Sequence, residues 1–174
     1  MTQLSYEPAY DVYHTIFRIL RLLAVAPEAP LRLDQLRILD FFLLFPMLLH
    51  TVRLPRPSAA RTALKKLASD NFVAIYAELP SPVSLFRSMT PFQELALETL
   101  HGQGYLDARN FPIGKAIRTS HALPEELADT VAARNAEQQE LMDFLADHLM
   151  PMPFEGEGGL KDRSGLLEYR YDAI

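Results

Sequence analysis

The chain has no cysteine. Disulfides and cysteine-based zinc sites are therefore excluded, and a reducing, cytoplasmic compartment fits. No basic stretch followed by an apolar run opens the sequence, so no signal peptide is expected. The longest uncharged run, 41–52, contains Pro46 and His50. It falls short of the ~20 apolar residues of a membrane-spanning helix, and a soluble protein is expected.

Catalytic signatures are missing as well. The histidines (His14, His50, His101, His121, His148) show no H-x-x-x-H, H-E-x-x-H or H-x-H spacing, so no metal site is expected. No G-x-S-x-G occurs, and no general base can be paired with a serine or threonine nucleophile. The stretch 155–164, rich in glycine and ending near Lys161, fails the G-x-x-x-x-G-K-[ST] spacing, and its acids would repel phosphate. These absences lead to the expectation of a non-enzyme with no cofactor.

What is present is apolar surface at helical spacing. Of 174 residues, 49% are hydrophobic and 10% aromatic, enough for one ordinary domain or two small modules sharing a core. Segment 9–26 reads as a helix, with Tyr13, Ile16, Phe17, Leu20 and Leu23 on one face and His14, Arg18 and Arg21 on another. After a link at 30–33, a second helix is expected with Asp34 as N-cap. Its residues 41–45 are apolar all round, which predicts burial on every side up to Pro46. Asp40 sits inside this stretch and needs a partner, for which Arg18 and Arg37 are the candidates.

Ser58 is expected to cap a short helix over 59–68, and 72–77 to form a strand. Pro80-Ser-Pro then marks a candidate boundary. A short helix over 83–89 is expected to precede a second one capped by Thr90, with Pro91 at N1 and Gln93 at N3, running to His101. Short strands are expected around 105–107 and 110–120, a long helix over 124–149, a flexible loop over 151–159, and a terminal strand containing Leu167, Tyr169 and Tyr171. The fold class expected is mainly α with small β elements. Two winged-helix-like modules in tandem, 1–79 and 80–174, are the expected organisation, with a long C-terminal helix; a single compact domain is the alternative.

The net charge of −5 disfavours a nucleic-acid binder held by its overall field. The charge is uneven, however. Between residues 53 and 66 there are five bases and no acid, namely Arg53, Arg56, Arg61, Lys65 and Lys66. Of these, Arg56, Arg61, Lys65 and Lys66 are candidate contacts to DNA or phosphate, or to a protein interface. Between 124 and 157, nine carboxylates face only Arg134. Glu137, Glu140, Asp143 and Asp147 read as a solvated helix face.

The blocks Tyr10-Asp-Val-Tyr-His-Thr-Ile-Phe-Arg-Ile-Leu-Arg-Leu-Leu and Leu36-Arg-Ile-Leu-Asp-Phe-Phe-Leu-Leu-Phe-Pro resemble the middle components of bacterial ABC-three-component systems. Met89-Thr-Pro-Phe-Gln and Gly159-Leu-Lys-Asp-Arg-Ser-Gly-Leu-Leu-Glu-Tyr-Arg-Tyr-Asp are similar to later blocks of that family. The resemblance implies a small non-catalytic subunit between an SMC-like ABC ATPase and an effector, often a nuclease. The closest picture is a Lamassu-type anti-phage or anti-plasmid defence complex. Phe17, Phe41, Phe42, Tyr169, Arg170 and Tyr171 are then the candidate partner anchors, since aromatics and arginine dominate interface energetics. Core packing is the competing reading for the phenylalanines. The alternative function is a winged-helix transcriptional regulator that places Arg61, Lys65 and Lys66 on DNA.

Overall fold

The computed structural model describes residues 7–71 and 79–167. Asp11 sets the start of the first helix. Its backbone is extended, and its carboxylate accepts a hydrogen bond from the His14 N–H at 2.9 Å. Helix α1 spans Val12–Val25 and buries Ile19, Leu20, Leu22 and Leu23. It also buries Thr15, Arg18 and Arg21, while Tyr13 points outward and is 79% exposed. Apolar periodicity places both arginines on a face apart from the apolar one. It cannot detect a guanidinium whose partners lie on distant segments.

Strand β1, Leu31–Arg32, follows where a simple link was expected. It pairs antiparallel with β2, Lys115–Ala116, in the register Leu31↔Ala116 and Arg32↔Lys115. Helix α2, Leu33–Leu44, leaves directly from β1, so Asp34 lies in its first turn and not at its cap. As the all-round apolar pattern requires, every residue from Gln35 to Leu43 is buried. Pro46 opens a 3-10 turn, Pro46–Thr51, that ends the helix. Ser58 then caps α3, Ala59–Asn71, by accepting from the Arg61 N–H at 3.2 Å.

Helix α4, Pro82–Gly102, is one continuous element. Its cap is Ser81, whose hydroxyl accepts from the Ser84 N–H at 3.2 Å, with Pro82 in the first turn. The helix start expected at Thr90 is therefore an interior position. Pro91 and Arg87, whose carbonyl the proline cannot bond, both lie on the exposed side of the helix. Thr90 instead bonds sideways: its hydroxyl donates to Phe86 O at 3.2 Å and accepts from Arg37 at 2.6 Å.

A tight hairpin follows. Asp107 N donates to Ile117 O at 2.9 Å and Thr119 N to Tyr105 O at 3.0 Å, flanking the Leu106↔Arg118 bridge. Gly114 turns it at φ 77°, a conformation glycine adopts without steric penalty. The Asp107 carboxylate accepts from the Asn110 side chain at 2.6 Å and the Asn110 N–H at 3.0 Å, which holds its pKa below the usual carboxylate range.

The long C-terminal helix is interrupted. Helix α5, Glu125–Glu137, ends at Gln138 (φ −117°, ψ 34°), and α6, Gln139–Phe144, continues into a π-type turn over Leu145–Leu149. The glycine-rich loop is organised by turns, with Gly156 and Gly158 at positive φ, and leads into α7, Leu160–Ser164. The strands expected at 72–77 and at Tyr169–Tyr171 lie outside the described residues. The chain is thus mainly α-helical with a small antiparallel β element. Helix α1 packs against α2, α4 and α5, and one apolar core runs from Ala9 to Leu166.

Candidate docking surfaces

The polar residues that look most like chemistry are committed to holding the helices together. Arg18 of α1 grips Asp40 of α2 at 2.6 Å (Nε to Oδ1) and 3.2 Å (Nη2 to Oδ2). Gln93 of α4 also donates to Asp40 Oδ2, at 2.8 Å, and to Arg37 O at 3.0 Å. Arg37 closes the circuit through Gln93, Thr90 and Asp34, and its guanidinium lies 5.0 Å from the centre of the Phe86 ring. Three helices share one satisfied network. At its centre the Asp40 carboxylate is fully buried and engaged by Arg18 and Gln93.

Arg21 serves a second junction. It donates to Asn135 Oδ1 at 2.9 Å and Gln138 Oε1 at 2.8 Å, while Asn135 Nδ2 returns a bond to Arg21 O at 3.1 Å. These contacts sit at the interruption between α5 and α6. No carboxylate bonds Arg21 among the described residues, and burial pushes its guanidinium down to about 10. It remains charged at neutral pH.

The anticipated anchors separate clearly. Phe41 is 0% exposed and packs its ring against Phe42, Phe45 and Phe86, with centroids 5.3, 5.4 and 5.8 Å away. Its ring therefore lies in the core of this chain. Phe42 is also buried, and Phe17 is half-buried against the core. Tyr169, Arg170 and Tyr171 lie outside the described residues. On and before α3, Arg56, Lys65 and Lys66 are exposed and Arg61 is half-exposed. Lys66 shares a groove of about 230 Å³ with Glu140, Asp143, Asp147 and His148 of the C-terminal helices. A second open groove, about 510 Å³, runs along the Gln138 interruption between Arg134 and Leu141. Among the described residues, no cluster of three potential metal ligands occurs.

The surface that sequence reasoning missed lies on α1 and α4. Tyr10 and Phe92 touch, with ring centroids 5.8 Å apart. Tyr13 of α1 is 79% exposed, and Leu95, one helical turn on from Phe92 in α4, is 52% exposed. The buried stripe of α4 is Leu85, Phe86, Met89, Gln93, Ala96, Leu97 and Leu100. Leu95 falls off that stripe, between the exposed Glu94 and Glu98. Its position relative to the stripe was the available signal.

A family model described as MC5, ABC-three component (ABC-3C) system Middle Component 5, matches residues 4–172. The chain belongs to this family. No curated protein and no solved structure matches it. A middle component is a non-catalytic scaffold subunit of an SMC-like defence system, bridging other members of a multi-subunit complex. Among the described residues, no helix is long and apolar enough to cross a membrane.

Proposed function

We propose that this middle component acts in the cytoplasm, joining an SMC-like ABC ATPase to a nuclease effector through protein–protein contacts. The observation that carries this reading is the surface of α4. The order α1, β1, α2, α3, α4, β2, with β1 paired to β2, supports a winged-helix reading in which α4 would stand where a DNA reader inserts a recognition helix. That helix exposes Glu94, Leu95 and Glu98. Two carboxylates would meet the phosphates with the wrong sign. A partner protein can accept the same face.

The basic residues Arg56, Arg61, Lys65 and Lys66 belong to α3 and the turn before it, away from the position preceding the wing. We assign them sequence-blind phosphate contact at most. Tyr169, Arg170 and Tyr171 retain the role of an edge that adds a strand to a partner's sheet. The pairing of β1 with β2 across residues 32 and 115 favours one compact body over two modules hinged near residue 80.

Binding of the isolated chain to duplex DNA across a salt series tests the choice. Weak, sequence-blind binding that vanishes by moderate salt supports the scaffold reading. A sequence preference that survives moderate salt supports the transcriptional regulator. The tail is tested by changing Tyr169→Ala and Tyr171→Ala together; recovery of both partners at unchanged yield would remove it from the interface.

A further inference from the structure

We infer that the hairpin 105–119 holds the phosphate backbone of duplex DNA without reading its sequence. The inference rests on the scaffold reading and deepens it, by giving the scaffold a DNA contact of its own. In a chain of net charge −5, the stretch 108–124 carries three bases, Arg109, Lys115 and Arg118, and no acid. Arg109 and Arg118 are exposed, and Lys115 is half-exposed. None of the three makes a side-chain hydrogen bond or ion pair among the described residues. Arg18, Arg32, Arg37, Arg53 and Arg134, by contrast, each hold a carboxylate. Lys66 of α3 shares its groove with three carboxylates and a histidine, which weakens the field of that helix.

The hairpin is a braced support for these cations. Asn110 O accepts from the Ile113 N–H at 3.2 Å and from the Lys115 N–H at 3.1 Å, so Arg109 and Lys115 flank the neck of the turn from its two sides. Phe111 stacks on His101 in the last turn of α4, with centroids 4.2 Å apart and planes 6° apart, which anchors the turn to the helix. Asp107, the hairpin's one acid, is committed inside it, accepting from the Arg109 N–H at 3.1 Å and from Asn110. At the turn Ile113 is 61% exposed, and Pro112 beside it is exposed. Lys115 and Arg118 lie three residues apart on extended chain, roughly 10 Å, so they can meet different phosphates. Cations on both sides of a projecting turn suit the two phosphate walls of a narrow groove, and an isoleucine–proline tip suits the space between those walls. A protein partner would need an apolar centre to dock on, whereas Ile113 is the one large apolar side chain of this hairpin that stands mainly in solvent. Phosphate contacts carry no base information, so the binding is sequence-blind.

Fluorescence anisotropy of the full-length chain with labelled DNA and RNA duplexes, across a salt series, tests this. The parent should bind the DNA duplex at low salt, and more tightly than the RNA duplex, whose minor groove is wide and shallow. Arg109→Ala, Lys115→Ala and Arg118→Ala together should weaken DNA binding roughly tenfold or more and reduce the slope of log affinity against log salt by about 2–3, near one unit per lost contact. Arg109→Lys, Lys115→Arg and Arg118→Lys together should preserve both, which separates charge from folding. Arg61→Ala, Lys65→Ala and Lys66→Ala together should have the smaller effect. Unchanged affinity and slope in the hairpin alanine variant, equal binding of RNA, or no binding by the parent would overturn the inference. Recovery of other subunits through a tag on that variant should equal the parent's; loss of a subunit would make the hairpin a protein contact and overturn the inference while the scaffold reading stands. Failure of the parent to recover any subunit would overturn the scaffold reading instead, and the anisotropy still reads the hairpin independently.

Discussion

Arg18 and Asp40 form a two-pronged ion pair inside the molecule, with the Asp40 carboxylate 0% exposed. Arg18 also donates to Pro8 O at 2.9 Å and to Thr15 Oγ1 at 3.1 Å. The pair thereby ties the turn before α1, α1 itself and α2 to one point, and Gln93 adds α4. Removing one member leaves the other charged and dry. Arg18→Ala or Asp40→Ala should each lower unfolding stability by ~3–5 kcal/mol, measured by urea titration. Replacing both with apolar residues of similar volume should recover most of that loss.

Arg21 makes the opposite case on the same helix. It is 4% exposed, its side-chain partners are the Asn135 and Gln138 amides and the Met142 sulfur, and burial disfavours its charge. At neutral pH the charged form is present in both the folded and unfolded chain, so the folded state bears the desolvation cost. Arg21→Met should therefore leave stability within ~1 kcal/mol of the parent. The pH dependence has a definite sign. Above about 10 the folded parent releases a proton that the unfolded chain still holds, so the parent should gain stability relative to Arg21→Met as pH rises past that value. A parent that loses ground in this window would show that Arg21 is not penalised by burial.

Phe41→Ala should cost ~3–5 kcal/mol in unfolding stability, as expected for a core phenylalanine that leaves a cavity. Tyr13→Ser should change stability little, because the side chain is mostly in water. If thermal melts showed the reverse order, the division between core and docking surface would be wrong.

Gly159 tests the seat of α7. A Cβ at this position would lie 2.6 Å from Glu155 O, 2.8 Å from Phe154 O and 2.9 Å from Pro153 O. Backbone must move to admit it. Gly159→Ala should destabilise by ~1–3 kcal/mol and raise hydrogen exchange in 153–164 above that of the parent. An unaltered exchange pattern would mean that the loop accommodates the methyl group without rearrangement.

Much of this architecture was legible in the sequence because its signals are local. The all-round apolar run 41–45, the stop at Pro46, the Ser58 cap and the hairpin around Gly114 each depend on neighbouring residues. The Asp40 partner was also within reach, since a buried carboxylate demands a base and Arg18 was one of two offered. The errors came from contacts between remote segments. Thr90-Pro-Phe-Gln has the form of a helix start, but Arg37 and Asp40 recruit Thr90 and Gln93 into the interior network, and α4 runs through. Strand β1 is two residues long and exists only because β2 lies beside it. The interruption at Gln138 is bonded by Arg21, far away in sequence. The same limit governed the site: Phe41 and Tyr13 are both aromatics on apolar helices, and only packing distinguishes core from surface.

The most direct test of the bridging role is native mass spectrometry of the complex purified through a tag on this chain, expressed in its own gene context and treated with nuclease. A stable assembly containing a long coiled-coil ATPase and a second, effector subunit is the expected result. The chain recovered alone, as a monomer or homodimer, would contradict the bridging role.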